Sequence, residues 1–340
     1  MAFSYLKIKP HDICTMWLYK TLKPHGPTVW LFLYSILKGV YKFMTGIISV
    51  LIQSLILSIM ALGVYITYKI LDFPDMTADG SFSLGGAVIA VSLAGGMSPI
   101  VGTILAFTCG LIAGLITGIL HIKYKITNLL SGILVMGMLY SINLGIMGKS
   151  NMPLFTYQNL FNSKLSPLIL AVAFAVACKV ILDLFLKTGL GYTLKGVGDN
   201  PQMIKSLGVN INIIKTLGLM ISNGLIALSG GLFAQFQGFS DVNMGIGTLV
   251  LGIASIIIGI SLFKKVVAIK TTTAIIIGTF IYQFTIYLAL NFGLVSADNL
   301  KLITSVVIVL CLTIGNSSVF TNKREKARQI EKRGVADVAN

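Results

Sequence analysis

Long uncharged stretches separated by short lysine-bearing loops dominate this sequence. They cover residues 45–68, 80–120, 126–148, 216–240, 242–263, 271–297 and 302–322. Each exceeds the roughly 20 residues that a helix needs to cross the hydrocarbon core of a bilayer. A further stretch, residues 165–186, contains Lys179 and Asp183, which lie one helical turn apart and can pair near a membrane edge. Apolar and polar positions do not alternate, so the pattern predicts membrane-spanning helices.

Composition and the placement of charge agree with a membrane protein. Of 340 residues, 55% are hydrophobic and 11% are charged, against about 25% charged residues in an average soluble domain. The net charge of +15 is concentrated before residue 45, after residue 322 and in short loops, which is the positive-inside pattern. This placement argues against nucleic-acid binding. The four cysteines are isolated and lack metal-ligand spacing, which is typical of small core residues.

The lysine bias of the loops predicts an orientation in the membrane. With the basic C-terminal tail in the cytosol, counting crossings backward places residues 264–270, 187–215 and 123–125 inside, and residues 238–245 and 149–164 outside. Residues 1–44 carry six lysines and an apolar run too short to cross, so we expect a basic extension on the cytosolic membrane surface.

A cytosolic N-terminus sends residues 45–68 outward, so residues 70–97 must then begin and end outside. The economical solution is a discontinuous segment in which residues 70–81 enter the membrane as irregular backbone and residues 82–94 return as a helix. In the alternative topology, residues 29–43 cross the membrane and residues 70–81 form a cytosolic loop.

One polar segment interrupts the apolar blocks, residues 187–215, with the sequence KTGLGYTLKGVGDNPQMIKSLGVNINIIK. Asp199 or Asn200 can accept hydrogen bonds from the free N–H groups of a helix start, and Pro201 suits the first helical position. Gly208 can end the helix in a left-handed conformation. These signals predict a two-turn helix, which is too short to be stable alone and must be held by the surrounding loop or by a partner.

The motif G-Y-x-L-K-G-V-G-D-N-P-Q-x-x-x-S-L-G-V-N in this segment closely resembles the coupling loop of ABC importer permeases of the branched-chain amino acid/ribose type. The resemblance extends over residues 45–315 and is closest to a bacterial subgroup paired with tryptophan/tyrosine-type binding proteins. It implies an all-α polytopic membrane protein with the ABC importer permease fold, with about 8–10 transmembrane helices and one or two discontinuous segments. It also implies that residues 201–207 sit in a groove of a separate ATPase and pass its motion to the membrane helices.

Partners and location follow from the same resemblance. Two permease copies, expected as a homodimer in the bacterial plasma membrane with both termini cytosolic, would enclose the pathway. An extracytoplasmic binding protein would deliver a small polar solute, an amino acid, and the subgroup indicates an aromatic one. The expected domains are the extension 1–44, the permease 45–315 and the basic tail 316–340. The residues expected at the ATPase are Gly198, Asp199, Asn200, Pro201, Gln202, Met203, Lys205, Ser206, Leu207 and Gly208.

Two segments indicate breaks in the helices. Residues 72–80 carry three of the eleven acids, and Pro74 argues against a straight helix through them. Residues 239–243 repeat the order aromatic, small, Asp, apolar, small polar; paired breaks point to a translocation route, and a chance match is the alternative. The pathway residues predicted on this basis are Phe73, Asp75, Thr77, Asp79, Ser81, Gln235, Gln237, Phe239, Asp241 and Asn243.

Catalytic signatures are missing from the sequence. It has no Walker A motif, its three histidines are scattered, and it has no Ser/His/Asp arrangement. We therefore expect a transport subunit without cofactor or metal, served by ATP hydrolysis in another protein. The alternative is an ion-coupled secondary transporter that uses Asp75, Asp79 and Asp241. A third class is a membrane scaffold without transport.

Overall fold

The computed structural model describes residues 27–162, 166–263 and 270–291, together with residues 305, 306 and 309. Side chains are described from residue 43 onward. The chain divides into two compact units, Met1–Ser49 and Val50–Asn340. In the first unit the described backbone is helical from Pro27. The sequence predicted a basic extension at residues 1–44. Residues 1–26 lie outside the described part of the chain, and only the backbone of residues 27–42 is described.

Helices make up most of the described chain. They are α1 (Pro27–Val64), which continues as a π-helix (Tyr65–Ile70), α2 (Thr77–Ala94), α3 (Pro99–Ile122), α4 (Asn128–Met147), α5 (Pro167–Phe185), α6 (Gly189–Asp199), α7 (Pro201–Ser206), α8 (Ile211–Gln237), α9 (Thr248–Phe263) and α10 (Thr271–Asn291). A 3₁₀ turn (Leu160–Asn162) precedes α5. Strands β1 (Asn151–Pro153) and β2 (Phe239–Asp241) pair antiparallel, with Asn151 opposite Asp241.

The lengths of these helices confirm an all-α polytopic membrane protein. Within the described residues, seven helices are long and apolar enough to cross a membrane, and α9 is a shorter apolar helix of 16 residues. The span predicted at residues 302–322 lies outside the described residues, apart from three positions.

Helix α8 lies at the centre of the second unit. On one side, Ser222 Oγ donates to the Gly63 carbonyl at 2.7 Å and Ser229 Oγ donates to the Ile56 carbonyl at 2.8 Å, so α1 runs antiparallel to α8. On another side, Gly230 faces the backbone of Phe82 in α2. Hydroxyl donors and glycines allow this close backbone packing in a membrane, where lipid gives helices little hydrophobic reason to associate.

Helix α3 packs against α8 through the face formed by Gly110, Gly114 and Gly118. A Cβ at Gly110 or Gly114 would meet the backbone of α8, and one at Gly118 would lie 2.9 Å from Thr216. Glycines four residues apart share one face of a helix, so this spacing predicts a helix-packing face, and the structure confirms it.

The second unit has two ends, which we name by their residues. The lysine end contains the turn 121–125 and the loop with α6 and α7. The strand end contains β1, β2 and the turn 95–98. The sequence grouped these segments in the same way, since it placed residues 123–125 and 187–215 on one side and residues 149–164 and 238–245 on the other.

The first helix break lies at the lysine end. Leu71 packs against Gly218 of α8, and the Phe73 ring meets the His121 ring edge-on at 5.1 Å. Asp72 adopts a left-handed conformation with φ 51°, which turns the chain sharply before Pro74. Helix α2 then begins at Thr77 after the N-cap residue Met76, and Asp75 Oδ1 accepts a hydrogen bond from Thr77 N at 2.9 Å, which satisfies one free N–H group of the helix start.

These contacts correct two predictions. The irregular backbone is limited to residues 71–76, so the prediction that it extends to residue 81 and that the helix starts at Phe82 is wrong. The prediction that residues 70–97 begin and end on the same side is also wrong, because α2 joins the lysine end to the strand end. The loop itself carries only acids, and the one lysine beside it is Lys69, in the last turn of the π-helix. From Val50 onward, α1 therefore runs toward the lysine end, as in the alternative topology that makes residues 70–81 an inner loop.

The second break carries the chain from the strand end back into the helix bundle. After β2, Ser240 and Met244 lie against Gly86 of α2, and Gly245 lies against the Asp79 carbonyl, two helical turns closer to the lysine end. Helix α9 starts at that depth, roughly 10 Å along α2 from Gly86 at a rise of about 1.5 Å per residue. The prediction of a discontinuous segment is confirmed here. The backbone N–H groups of this segment are satisfied in part by α2, since Gly245 N donates to Ser83 Oγ at 3.0 Å and Gly247 N donates to Asp79 Oδ2 at 2.9 Å, as a membrane interior requires.

Candidate functional site

The short helix predicted between Asn200 and Gly208 is present at the lysine end. Asn200 Oδ1 accepts a hydrogen bond from Met203 N at 3.2 Å, Pro201 occupies the first turn, and Gly208 has φ 79°. The helix ends at Ser206, one residue before the predicted end, and Leu207 is its C-cap. The local cap signals therefore predicted this element correctly.

Two contacts anchor this helix to the membrane domain. Ile204 is the buried residue of α7, and it packs against Gly196 of α6. Further along α6, Gly198 lies against the Ile70 carbonyl at the end of the π-helix, where a Cβ would overlap the Ile70 backbone. A chain of direct contacts thus runs from α7 through α6 to the end of the π-helix that continues α1. Displacement of α7 must move or strain α6 and α1, because packed backbones cannot compress.

The remaining face of α7 is exposed. Asp199, Asn200, Pro201, Gln202, Lys205, Ser206 and Gly208 are all exposed, and Gly198 is half-buried. Two apolar side chains accompany them, since Met203 is 53% and Leu207 68% exposed. Exposed apolar side chains with a polar surround are typical of a protein interaction surface. We call the exposed residues of 199–208 the tip surface.

Asp75 holds the first break in place. It is fully buried, and its Oδ2 accepts a hydrogen bond from Asn223 Nδ2 at 2.8 Å, while Asn223 Oδ1 accepts one from Ser81 Oγ at 2.8 Å. Thr77 Oγ1 contacts Thr117 Oγ1 at 2.8 Å. Burial raises the pKa of the Asp75 carboxyl, and the hydrogen bonds from Thr77 and Asn223 oppose that shift. Asp75, Thr77 and Ser81 therefore tie α2 to α3 and α8.

Asp79 holds the start of α9. Its Oδ2 accepts from Gly247 N at 2.9 Å, and its Oδ1 accepts from Leu249 N at 2.8 Å and from Thr248 Oγ1 at 3.0 Å. A carboxylate at a helix N-terminus satisfies free N–H groups and compensates the positive end of the helix dipole. This acid therefore caps a helix that is distant in sequence.

The structure does not bring the ten predicted pathway residues into one site. Phe73, Asp75, Thr77 and Ser81 lie toward the lysine end and are buried. At the strand end lie Gln235, Gln237, Phe239, Asp241 and Asn243. Gln235 is buried and donates to Thr103 Oγ1 at 3.2 Å, so it ties α8 to α3.

Asp241 has a local role at the strand end. Its Oδ1 accepts from Asn243 N at 2.7 Å, and its Oδ2 accepts from Asn151 Nδ2 at 3.4 Å. This acid stabilises the turn that leads the chain back into the bundle. Asp79 joins the two breaks, because it belongs to the helix after the first break and caps the helix after the second. Ser83 of the same helix also takes part, since its Oγ accepts a hydrogen bond from Gly245 N at 3.0 Å.

Sequence reasoning missed the partners of these acids. Asn223 and Thr248 are an amide and a hydroxyl in apolar runs, and their pairing with Asp75 and Asp79, far away in sequence, could not be read from local pattern. The one available signal was the amide itself, since an Asn in an apolar helix needs a hydrogen-bond partner. The pair Lys179–Asp183 was predicted, and its atoms lie 3.2 Å apart, with Lys270 and Thr272 also bonded to Asp183.

Two cavities flank the start of α9. One of about 390 Å³ is lined by apolar and aromatic side chains with two amides, among them Phe82, Phe233, Tyr282, Gln53 and Gln283. The other, of about 250 Å³, lies between α2, α4 and residues 242–246. Among the described residues, no group of three or more His, Cys, Asp or Glu side chains is placed to hold a metal ion.

Comparison with known proteins extends these observations. A family model described as "Branched-chain amino acid transport system / permease component" matches residues 46–312. The chain is 70% identical over 280 residues to a protein of Clostridioides difficile (strain R20291) named "Tyrosine transport system permease protein", covering 82% of this chain and 95% of that protein. It is 38% identical over 279 residues to "Uncharacterized protein RP368" of Rickettsia prowazekii (strain Madrid E), covering 79% of this chain and 98% of that one.

A solved structure, "PsaBC from Streptococcus pneumoniae in complex with Fab", is similar at 14% identity with a TM-score of 0.38, covering 74% of this chain and 95% of that chain. The family match spans most of the membrane helices and both helix breaks. The sequence predicted a transport subunit with apolar spanning helices. The family match and the relatives agree with this prediction and indicate a transport subunit, not an enzyme. The chain is a multi-pass membrane permease that belongs to the permease-component family of branched-chain amino acid transport systems.

Proposed function

We propose that this protein is the membrane-spanning subunit of an ABC importer for an amino acid, driven by ATP that a separate subunit hydrolyses. Its 70% identity to a protein named as a tyrosine transport permease supports tyrosine as the solute. The observation that carries the proposal is the unbroken contact path from the tip surface through α6 to the end of α1. Such a contact path suits a permease whose conformational change is driven by a partner protein outside the membrane domain.

The chemistry of the tip surface fits a protein partner. Met203 and Leu207 offer apolar anchors, while Gln202, Lys205 and Ser206 offer hydrogen bonds at the rim. Helix α7 has six residues and is held by its cap and by Ile204. It is therefore presented as a preformed element, which reduces the entropy cost of docking. The proposed partner at this surface is the ATPase, which places the lysine end in the cytosol.

The remaining partners are proposed on the same basis. A second copy of this chain would complete the pathway as a homodimer, and an extracytoplasmic binding protein would dock at the strand end and deliver the solute. The strand end offers a fixed platform for such docking, since β1 and β2 clamp two loops that are far apart in sequence. The basic tail, residues 316–340, is proposed to lie at the cytosolic surface of a bacterial plasma membrane. Because α1 enters the second unit from the strand end, the proposal for the N-terminus follows the alternative topology, in which residues 29–43 cross the membrane and the residues before them are cytosolic.

The acids that suggested an ion-coupled transporter have structural partners. Asp75 accepts hydrogen bonds from Thr77 and Asn223, Asp79 caps α9, and Asp241 stabilises a turn. Acids used in this way stabilise helix ends and breaks. This use favours the importer over the ion-coupled alternative.

Uptake into proteoliposomes tests the proposal. The chain is reconstituted with its ATPase, and radiolabelled L-tyrosine is presented with the binding protein on the side opposite to ATP. We expect uptake that requires both ATP and the ATPase. Uptake that continues without the ATPase and follows a proton or sodium gradient would overturn the importer assignment.

Co-purification tests the docking surface separately. Leu207→Asp places a charge on the most exposed apolar side chain of the tip surface, and we expect loss of ATPase association with normal membrane insertion. Ile213→Asp is a matched control, because Ile213 is a similarly exposed apolar residue, 57% exposed, outside α7. Equal co-purification of wild type and Leu207→Asp would contradict the assignment of this surface.

A further inference from the structure

A third cavity, of about 240 Å³, lies at the lysine end, where α5 ends and α10 begins. Its lining also includes Tyr65 of the π-helix and residues of α6. Both α5 and α10 are long and apolar enough to span a membrane. The cavity therefore lies at the level where spanning helices leave the hydrocarbon and meet water.

Positive charge predominates in this cavity. Lys187, Lys195 and Lys270 line it, and Asp183 is the one acid among the described residues of its lining. Lys179 and Lys270 each place Nζ 3.2 Å from Asp183 Oδ2, so two lysines already pair with this carboxylate. The other two lysines of the lining add charge that Asp183 does not balance. The cavity therefore favours an anion.

The ammonium groups in the lining keep donors for a ligand. Lys195 Nζ donates to the Leu186 carbonyl at 3.3 Å, and Lys270 Nζ donates to Asp183 Oδ2 at 3.2 Å. Each ammonium group has three N–H donors, so these bonds use only part of its capacity. The Lys270 side chain is 57% exposed, and Lys187 is exposed as well. A ligand in the cavity can therefore touch them, and lysine ammonium groups bind phosphate oxygens well.

An apolar stripe on α5 leads to this cavity. Every third or fourth residue of the stripe is an exposed apolar side chain, so the stripe follows one face of the helix. Its members, between 41% and 60% exposed, are Ile169, Val172, Val176, Val180 and Leu184.

The length of this α5 stripe matches a lipid chain. At a rise of about 1.5 Å per residue the stripe is roughly 22 Å long, which exceeds one leaflet of a hydrocarbon core about 30 Å thick. It ends at Leu184, beside Asp183 and close to Leu186, and both of these residues line the cavity. A molecule with an anionic head and a long apolar chain can therefore occupy the cavity and the stripe together.

We propose that this cavity binds the headgroup phosphate of an anionic phospholipid, whose acyl chain lies along the α5 stripe. The phosphate meets Lys187, Lys195 and Lys270 at the water boundary, while the chain stays in hydrocarbon. Because Lys195 belongs to α6 and Lys270 precedes α10, the bound lipid joins both helices to α5. The inference requires a multi-pass membrane protein and is independent of the transported solute and of the ATPase.

Native mass spectrometry of the purified full chain, without ATPase or binding protein, tests the headgroup preference. The probes are dioleoyl phosphatidylglycerol and dioleoyl phosphatidylcholine, which share acyl chains and a phosphate. They differ in that the choline ammonium cancels the phosphate charge and is repelled by the lysines. We expect tighter binding of phosphatidylglycerol. Equal affinity for the two lipids would overturn the proposal.

Two double variants locate the phosphatidylglycerol site. Lys187→Gln combined with Lys270→Gln removes two positive charges from the cavity. Lys123→Gln combined with Lys125→Gln is a matched control, which removes two charges from a turn at the same end. All four lysines are exposed, so neither double variant removes a buried side chain.

The two double variants should differ in lipid affinity. We expect phosphatidylglycerol affinity to fall roughly thirtyfold in the cavity variant, because a lysine near an anionic lipid surface contributes about a factor of five. The control variant should keep the wild-type affinity. Equal losses in the two variants, or no loss in either, would exclude this cavity.

Two further measurements distinguish a lipid from a soluble phosphate. Glycerol 3-phosphate resembles the headgroup but lacks acyl chains, so we expect an excess of it to leave phosphatidylglycerol bound. Displacement of the lipid would overturn the proposal in favour of a soluble anion. Phosphatidylglycerol with a photoreactive diazirine on its acyl chain should label α5 in the wild-type chain. Labelling confined to other helices would contradict the α5 stripe as the place of the chain.

Discussion

Replacing Gly198 by alanine tests the contact between α6 and α1 that carries the proposed coupling. A Cβ at this position would lie 2.9 Å from the Ile70 carbonyl carbon and closer still to its oxygen, whereas real Cβ atoms essentially never come within 3.0 Å of another atom. The obstructing atoms belong to the backbone, so rotation of a side chain gives no relief. The two segments must separate by roughly 1 Å, since a packed interior has no spare volume.

The expected cost is at the upper end of the range for overpacking. Inserting a methyl group into a packed site costs about 1–3 kcal/mol, and we expect about 3 kcal/mol here because two backbones must shift. Thermal unfolding of the purified permease in nanodiscs measures this loss. The more informative assay is tyrosine transported per ATP hydrolysed in proteoliposomes, which should fall because a loosened contact transmits less of the movement of α7.

Gly189→Ala provides the matched control within α6. A Cβ at Gly189 meets nothing within 4 Å, and surface substitutions of this kind usually change stability by less than about 0.5 kcal/mol. If Gly198→Ala matched Gly189→Ala in both stability and transport per ATP, the contact with Ile70 would not be part of the coupling path. A loss of stability with unchanged transport per ATP would leave the contact a structural one only.

Three further predictions follow from the acids and from the two ends. Asp79→Ala removes three hydrogen bonds at the start of α9, and it should destabilise the protein by about 3–5 kcal/mol; a loss below about 1 kcal/mol in thermal unfolding would refute the capping role. Burial raises the pKa of Asp75, so the folded protein holds this proton more tightly than the unfolded chain does. The associated stability is full below pH 3.8 and is lost as pH rises through the folded pKa. Asp75→Asn should therefore reduce the change in unfolding free energy with pH over that range. An unchanged pH dependence would contradict this. A cysteine replacing Leu207 should react with water-soluble thiol reagents from the cytosol only, and one replacing Met97 from outside only; the reverse pattern would invert the proposed orientation.

The elements predicted correctly are those encoded by residues close together in sequence. The capped helix at Asn200 and the ion pair of Lys179 with Asp183 each lie within a few residues. The glycine face of α3 repeats every four residues and needs only helical geometry to be recognised. In each case the physical signal and its consequence lie within one or two turns of helix.

The direction of α1 could not be read in the same way. The loop after the π-helix carries two acids, and the single lysine beside it, Lys69 in the last turn of the π-helix, was outweighed in the count by the basic extension. The correct placement depends on Leu71 meeting Gly218 and on Ile70 meeting Gly198, contacts between distant parts of the chain. The dispersed pathway residues have the same cause. An acid beside a helix break suggests a binding site from local sequence. The groups that donate hydrogen bonds to Asp75 and Asp79, however, include ones on other helices.

The cap on α9 has a consequence for biosynthesis. The donor at Gly247 follows Asp79 by 168 residues in the chain, and ribosomes add about 5–20 residues per second. The carboxylate therefore waits on the order of 10–30 s before its donors have been made. During that interval the Asp79 carboxyl lacks these donors, and α2 enters the membrane with a polar group that only water or another protein can then satisfy.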